Sequence, residues 1–158
     1  MISGIPYWRL AAVYLGYFGV IGGLSPYWAA YLSHLGFASQ TIGLLVAIPM
    51  ITRLLAPYLW GMLADATAQH LAIARLGAVA SLVSFCALVY VQSFWAIFAA
   101  TFVFSFFWNA ILPQFEGLTL DHLGERSALY SRVRVWGSIG FIAMVLALGV
   151  LFDYASVS

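Results

Sequence analysis

Three ionisable side chains fall where this chain is otherwise apolar. Arg53 lies near the middle of a run from Thr41 to Leu63, while Glu116 and Arg134 stand at the facing ends of two later runs. A charge at mid-bilayer costs at least about 2.5–3.5 kcal/mol on insertion scales, so such groups face a bundle interior or a watery cavity and take a partner. No neighbouring arginine carries Arg53 toward an interface, and it is expected to face inward. There it serves either a substrate- or proton-linked role or a structural one, as half of an ion pair or against helix-end carbonyls. Glu116 and Arg134 are expected at similar depth on neighbouring helices, where a carboxylate and a guanidinium can share two parallel hydrogen bonds. The alternative is that each reaches interfacial water.

Other chemistries find little support. His34, His70 and His122 are far apart and lie in expected links, without the spacing of a metal site. The single cysteine, Cys86, has no partner for a disulfide and sits in an apolar run, as a small lipid- or core-facing residue. No phosphate-binding glycine loop is present, and the intramembrane ionisable set of Arg53, Glu116 and Arg134 supplies neither a nucleophile–base pair nor metal ligands. No enzymatic activity, metal or cofactor is expected. A net charge of +1 gives no electrostatic case for nucleic acid.

The elements that position these residues follow from composition. Of 158 residues, 65% are hydrophobic and 7% charged, against roughly 25% charged in soluble domains. Mean hydropathy is +1.02. Such a chain needs lipid as its solvent. Crossing about 30 Å of hydrocarbon takes about 20 helical residues. Read at that length, the sequence predicts five transmembrane helices over residues 10–32, 41–63, 71–91, 94–115 and 133–152. The continuously apolar runs favour helices over the short alternating strands of a barrel. The fold class is therefore an all-α, polytopic membrane helix bundle. A retained first helix, not a cleaved signal peptide, is expected.

The links orient the bundle. Arg9, Arg75, Arg126, Arg132 and Arg134 fall on or near one side, and the opposite links, residues 33–40 and 91–93, have no arginine. The positive-inside rule makes the arginine-bearing side cytoplasmic, with the N-terminus inside and the residues after Phe152 outside. Tyr7, Trp8, Tyr27, Trp28, Tyr31, Tyr90 and Trp95 stand near span ends and fit aromatic belts. Gly16, Gly19 and Gly23 in the first span, and Gly137 and Gly140 in the fifth, are expected to let helices approach closely. Pro26, Pro49, Pro57 and Pro113 lie within spans and are expected to bend them.

Two segments carry a family resemblance. Gly61-Met62-Leu63-Ala64-Asp65 resembles the start of the signature loop between helices two and three of the major facilitator superfamily, although the basic cluster that usually follows is missing. Asn109-Ala110, Pro113 and Glu116, then Arg132, Arg134, Gly137 and Gly140, are similar to helices four and five of lactose-permease-like oligosaccharide:proton symporters, with the Glu116–Arg134 separation of that family's sugar-binding pair. Phe141 stands where that family has a sugar-stacking tryptophan. Tyr17-Phe18, Tyr27-Trp28, residues 41–45, Arg53 and residues 132–138 look more like the phenylpropionate-transporter-type branch. The resemblance covers residues 8–152.

The resemblance implies an incomplete N-terminal half of a fold with two six-helix halves around a central site, rocking between alternating-access states. The sixth helix and the C-terminal half would lie outside the 158 residues, and the chain's end is expected to reflect truncation. It implies an inner-membrane secondary transporter for a small organic solute, an aromatic acid or sugar-like, coupled to protons. Glu116, Arg134, Arg53, Phe141 and Asn109 would serve substrate binding or coupling, and Gly61 and Asp65 the conformational signature loop. In the family the glycine allows close packing and the aspartate pairs near a neighbouring helix's end. The reading from a different class is a non-transporting five-helix membrane scaffold or assembly subunit.

Overall fold

The computed structural model describes the backbone of residues 6–156 and the side chains of residues 6–154. Five α-helices account for nearly all of it: α1 (Tyr7–His34), α2 (Ser39–Thr67), α3 (His70–Leu88), α4 (Phe94–Leu123) and α5 (Tyr130–Ser156), with a 3-10 turn at Gly124–Leu129 before α5. Among the described residues there is no strand. Among the described residues, four continuous stretches are long and apolar enough to cross a membrane: Tyr7–His34, Ser39–Thr67, His70–Leu88 and Phe94–Tyr154. The last, at 61 residues, contains both α4 and α5. At 1.5 Å per residue it would be about 90 Å long if straight. Gly124, at φ +49, and the non-helical Arg126 break it into two.

Four of the helices extend past the expected spans, most at the links, while α3 stops at Leu88, short of the expected residue 91. The link placed at residues 64–70 shrinks to Ala68 and Gln69, because α2 continues through Asp65 to Thr67. Ala68 ends it in the left-handed region at φ 53. The charged link placed at residues 121–132 is almost wholly helical. Asp121 and His122 do not oppose a helix, and only Gly124 supplies the positive φ that stops α4.

The chain forms two compact units. Among the described residues, one holds those up to Tyr31 and those from Thr119 on, hence most of α1 with α5; the other holds residues 32–118, with α2, α3 and most of α4. In the first, glycines bring α1 and α5 together. A Cβ on Gly22 would lie 2.5 Å from the Phe141 carbonyl oxygen, and one on Gly140 would overlap the Leu15 carbonyl oxygen. A Cβ on Gly19 would lie 3.6 Å from the Gly140 oxygen. The expectation of close packing holds for Gly23, Gly137 and Gly140, while Gly19 makes ordinary contact, Gly16 faces open space, and among the glycines of α1 the tightest approach is at Gly22. Tyr27 Oη donates to the Val145 carbonyl at 2.8 Å, so this hydroxyl joins two helices as well as standing near a span end.

In the second unit α2 contributes a stripe of buried residues four apart for most of its length: Leu45, Ile48, Thr52, Ala56, Trp60 and Ala64. Four residues fall just beyond one helical turn, so this stripe stays on one face. Ala56, Trp60 and Ala64 pack with Ile73 of α3 and with Phe106, Phe107 and Ala110 of α4. Trp60 Nε1 donates to the Phe106 carbonyl at 3.1 Å, which satisfies the indole within this core. Gly77 admits α4 closely, since its Cβ would stand 2.8 Å from the Phe107 oxygen.

Candidate functional site

Thr52 and Asn109 form the polar contact between the middle parts of α2 and α4. Thr52 is 2% exposed. Its hydroxyl donates back to the carbonyls of Ile48 and Pro49, each at 3.1 Å. A hydroxyl has one hydrogen and two lone pairs. With the hydrogen committed to α2, the lone pairs face outward, and Asn109 Nδ2 donates to Oγ1 at 3.2 Å. Asn109 is half-buried. Interhelical bonds of this kind average roughly 0.6 kcal/mol in measured membrane bundles.

Arg53 follows Thr52 but is exposed. A helical step of about 100° takes it off the narrow buried stripe. Arg53 therefore does not face the packed interior of α2, α3 and α4, and among the described residues it has no hydrogen-bond or ion-pair partner. Leu54, Leu55 and Tyr58 beside it are exposed too.

Glu116 is half-buried on α4, two residues after the buried Gln114. Gln114 Oε1 lies 2.7 Å from His70 Nδ1, tying α4 to the first turn of α3. His70 Nε2 is also 4.0 Å from Asp65 Oδ1, on the other side of the two-residue link. Asp65 is exposed and the contact is long, so its worth is small. Gly61 meets nothing within 4 Å of its would-be Cβ, so it permits no close packing among the described residues.

In the other unit Arg134 is half-buried near the start of α5. Its Cζ stands 5.1 Å from the centroid of the Phe18 ring, a cation–π contact. Phe18 lies against Gly137, whose Cβ would come within 2.5 Å of it. Phe141 is half-buried, and its backbone carries the close approach to Gly22. Nearby, Trp136 Nε1 donates to Tyr7 Oη at 3.1 Å, and Tyr7 Oη donates to the Arg132 carbonyl at 3.3 Å. Glu116 and Arg134 thus stand in different compact units.

Sequence reasoning missed Thr52, Gln114 and the partnership of His70. A signal existed for two of them: Gln114 is polar within an apolar helix, and Thr52 is one helical turn beyond Ile48 on its face. Among the described residues no group of three or more His, Cys, Asp or Glu could hold a metal.

The sequence profile of the MFS_1-like family matches residues 7–158. The chain is 30% identical over 138 residues to a maltose permease of Geobacillus stearothermophilus, covering 87% of this chain and 35% of the permease. It is 27% identical over 154 residues to a probable 3-phenylpropionic acid transporter of Escherichia coli (strain K12), covering 92% and 39%. An uncharacterized transporter, YwbF, of Bacillus subtilis (strain 168) is 28% identical over 148 residues, covering 90% and 36%. The chain therefore spans between a third and two fifths of the length of these relatives. No solved structure matches it.

Proposed function

The chain belongs to the MFS_1-like family of the major facilitator superfamily, and from that premise we propose that it is the N-terminal part of a proton-coupled secondary transporter for a small organic solute, an aromatic acid or sugar-like. The observation that carries this reading is the family match across residues 7–158, within which Arg53, Asn109, Glu116, Arg134 and Phe141 all fall. The named relatives include one protein described as a maltose permease and one as a 3-phenylpropionic acid transporter, which frames the solute class. Helices long and apolar enough to cross a membrane support a multi-pass protein.

In this reading Glu116 and Arg134 bind solute or couple it to protons. Asn109 offers an amide to the solute, Phe141 an aromatic face, and Arg53 a cation for an acidic group. Gly61 and Asp65 stand on the last turns of α2, and in this reading the end of that helix and the two-residue link after it change shape between the two access states. The protein lies in the inner, plasma membrane with its N-terminus in the cytoplasm, as the arginine distribution favours. The sixth helix of the first half and the C-terminal half of the fold complete the site from outside the 158 residues.

The test uses the product of the whole reading frame in cells lacking their own uptake systems. Labelled maltose and labelled 3-phenylpropionate are offered separately. Saturable uptake of one is expected, with alkalinisation of an unbuffered suspension when that solute is added. Glu116→Gln is expected to lower uptake of that solute at least about tenfold at equal membrane abundance, the scale of one charge-assisted hydrogen bond. Unchanged kinetics would remove Glu116 from the mechanism.

A further inference from the structure

Asn109 has two faces to offer a ligand. Its amide carries two N–H donors at one end and a carbonyl acceptor at the other, and the two ends are nearly the same size. An unrestrained asparagine can present either. Thr52 removes that freedom. Its only hydroxyl hydrogen is engaged by the Ile48 and Pro49 carbonyls at 3.1 Å. Toward α4 it can therefore only accept, and it accepts from Asn109 Nδ2 at 3.2 Å. The nitrogen end is held toward α2. The carbonyl oxygen Oδ1 has no partner among the described residues, and one N–H also remains. Thr52 is 2% exposed, so water does not compete for its hydroxyl, while half-buried Asn109 stays within reach of a ligand.

Resting on the transport reading above, we infer that Thr52 is a positioning residue of the solute site: it sets the orientation of Asn109 and so the solute group that Asn109 selects. An exposed Oδ1 takes a donor. It matches a solute hydroxyl or a protonated acid, whereas a bare carboxylate could be met by the one remaining N–H alone. Thr52 touches no solute in this assignment and acts through Asn109. Losing the hydroxyl frees the amide to rotate and leaves its nitrogen without an acceptor, which weakens solute binding more than it changes the turnover of bound solute.

The experiment is initial-rate uptake of labelled maltose and labelled 3-phenylpropionate by the whole protein, with KM and Vmax separated. KM does not depend on how much protein folds, so a variant with reduced membrane abundance still reports. Thr52→Val, nearly the same shape without the hydroxyl, is expected to raise KM about fivefold to tenfold at little changed turnover. Thr52→Ser keeps the hydroxyl and is expected to keep KM within about twofold. Asn109→Ala is expected to raise KM by as much as Thr52→Val, and the double variant no further, since the two act as one unit. A wild-type KM in Thr52→Val, or full additivity in the double variant, would overturn the assignment while leaving the transport reading intact. Uptake of neither solute by the wild type would overturn the transport reading and this assignment with it.

Discussion

Tyr27 shows what a single atom adds in a membrane. As a tyrosine near the end of an apolar run it fits an aromatic belt, and its position along the chain suggests no more. Its Oη nevertheless reaches the Val145 carbonyl at 2.8 Å, while its ring meets Phe152 edge-on at 4.9 Å between centroids. Tyr27→Phe retains the ring and deletes the bond. It is expected to cost about 1 kcal/mol, seen as a drop of a few degrees in the melting midpoint of the whole protein in detergent. An unchanged midpoint would mean that the hydroxyl finds water equally well. Arg53 teaches the reverse lesson. Its place midway along an apolar run is legible from the sequence, but its direction is not, because one helical step separates the exposed Arg53 from the buried Thr52.

At the scale of elements, length and hydropathy are read easily, and the azimuth of each helix is not. Five α-helices stand over the five apolar runs, with α3 ending early at Leu88, because a backbone in lipid must satisfy its own hydrogen bonds. The links were misjudged because Asp65, Thr67 and Asp121 are polar, and polarity marks the end of hydrocarbon without marking the end of a helix. Pairing was only partly legible. Glycines in the first and fifth spans announced close packing, but the sequence neither made α1 and α5 each other's partners nor ranked Gly22 above Gly16. The structure does, and the two are expected to respond with opposite sign. Gly22→Ala forces the Phe141 carbonyl back and should destabilise by about 1–3 kcal/mol. Gly16→Ala meets open space and should be neutral or stabilising by up to about 1 kcal/mol through helix propensity. Thermal midpoints of the two variants, measured side by side, check the contrast. Equal losses would mean that the α1–α5 contact is not the determinant.

For the molecule as a whole, the proposed topology makes a prediction independent of any solute. In a Cys86→Ala background, a single cysteine at Ser93, between α3 and α4, is expected to react with a membrane-impermeant maleimide on intact cells. One at Ser127, in the turn before α5, should react only after permeabilisation. The reverse pattern would invert the orientation drawn from the arginines. The pairing of α1 with α5 also sets an order of events during synthesis. Tyr27 and the Val145 carbonyl that it binds are 118 residues apart. At about 5–20 residues per second, the ribosome needs on the order of 6–24 s to deliver one after the other. Through that interval the glycine face of α1 stands ready before its partner exists. α1 is thus made well before it is buried, and for those seconds its open groove is accessible to lipid, to the insertion machinery and to the helices of neighbouring nascent chains.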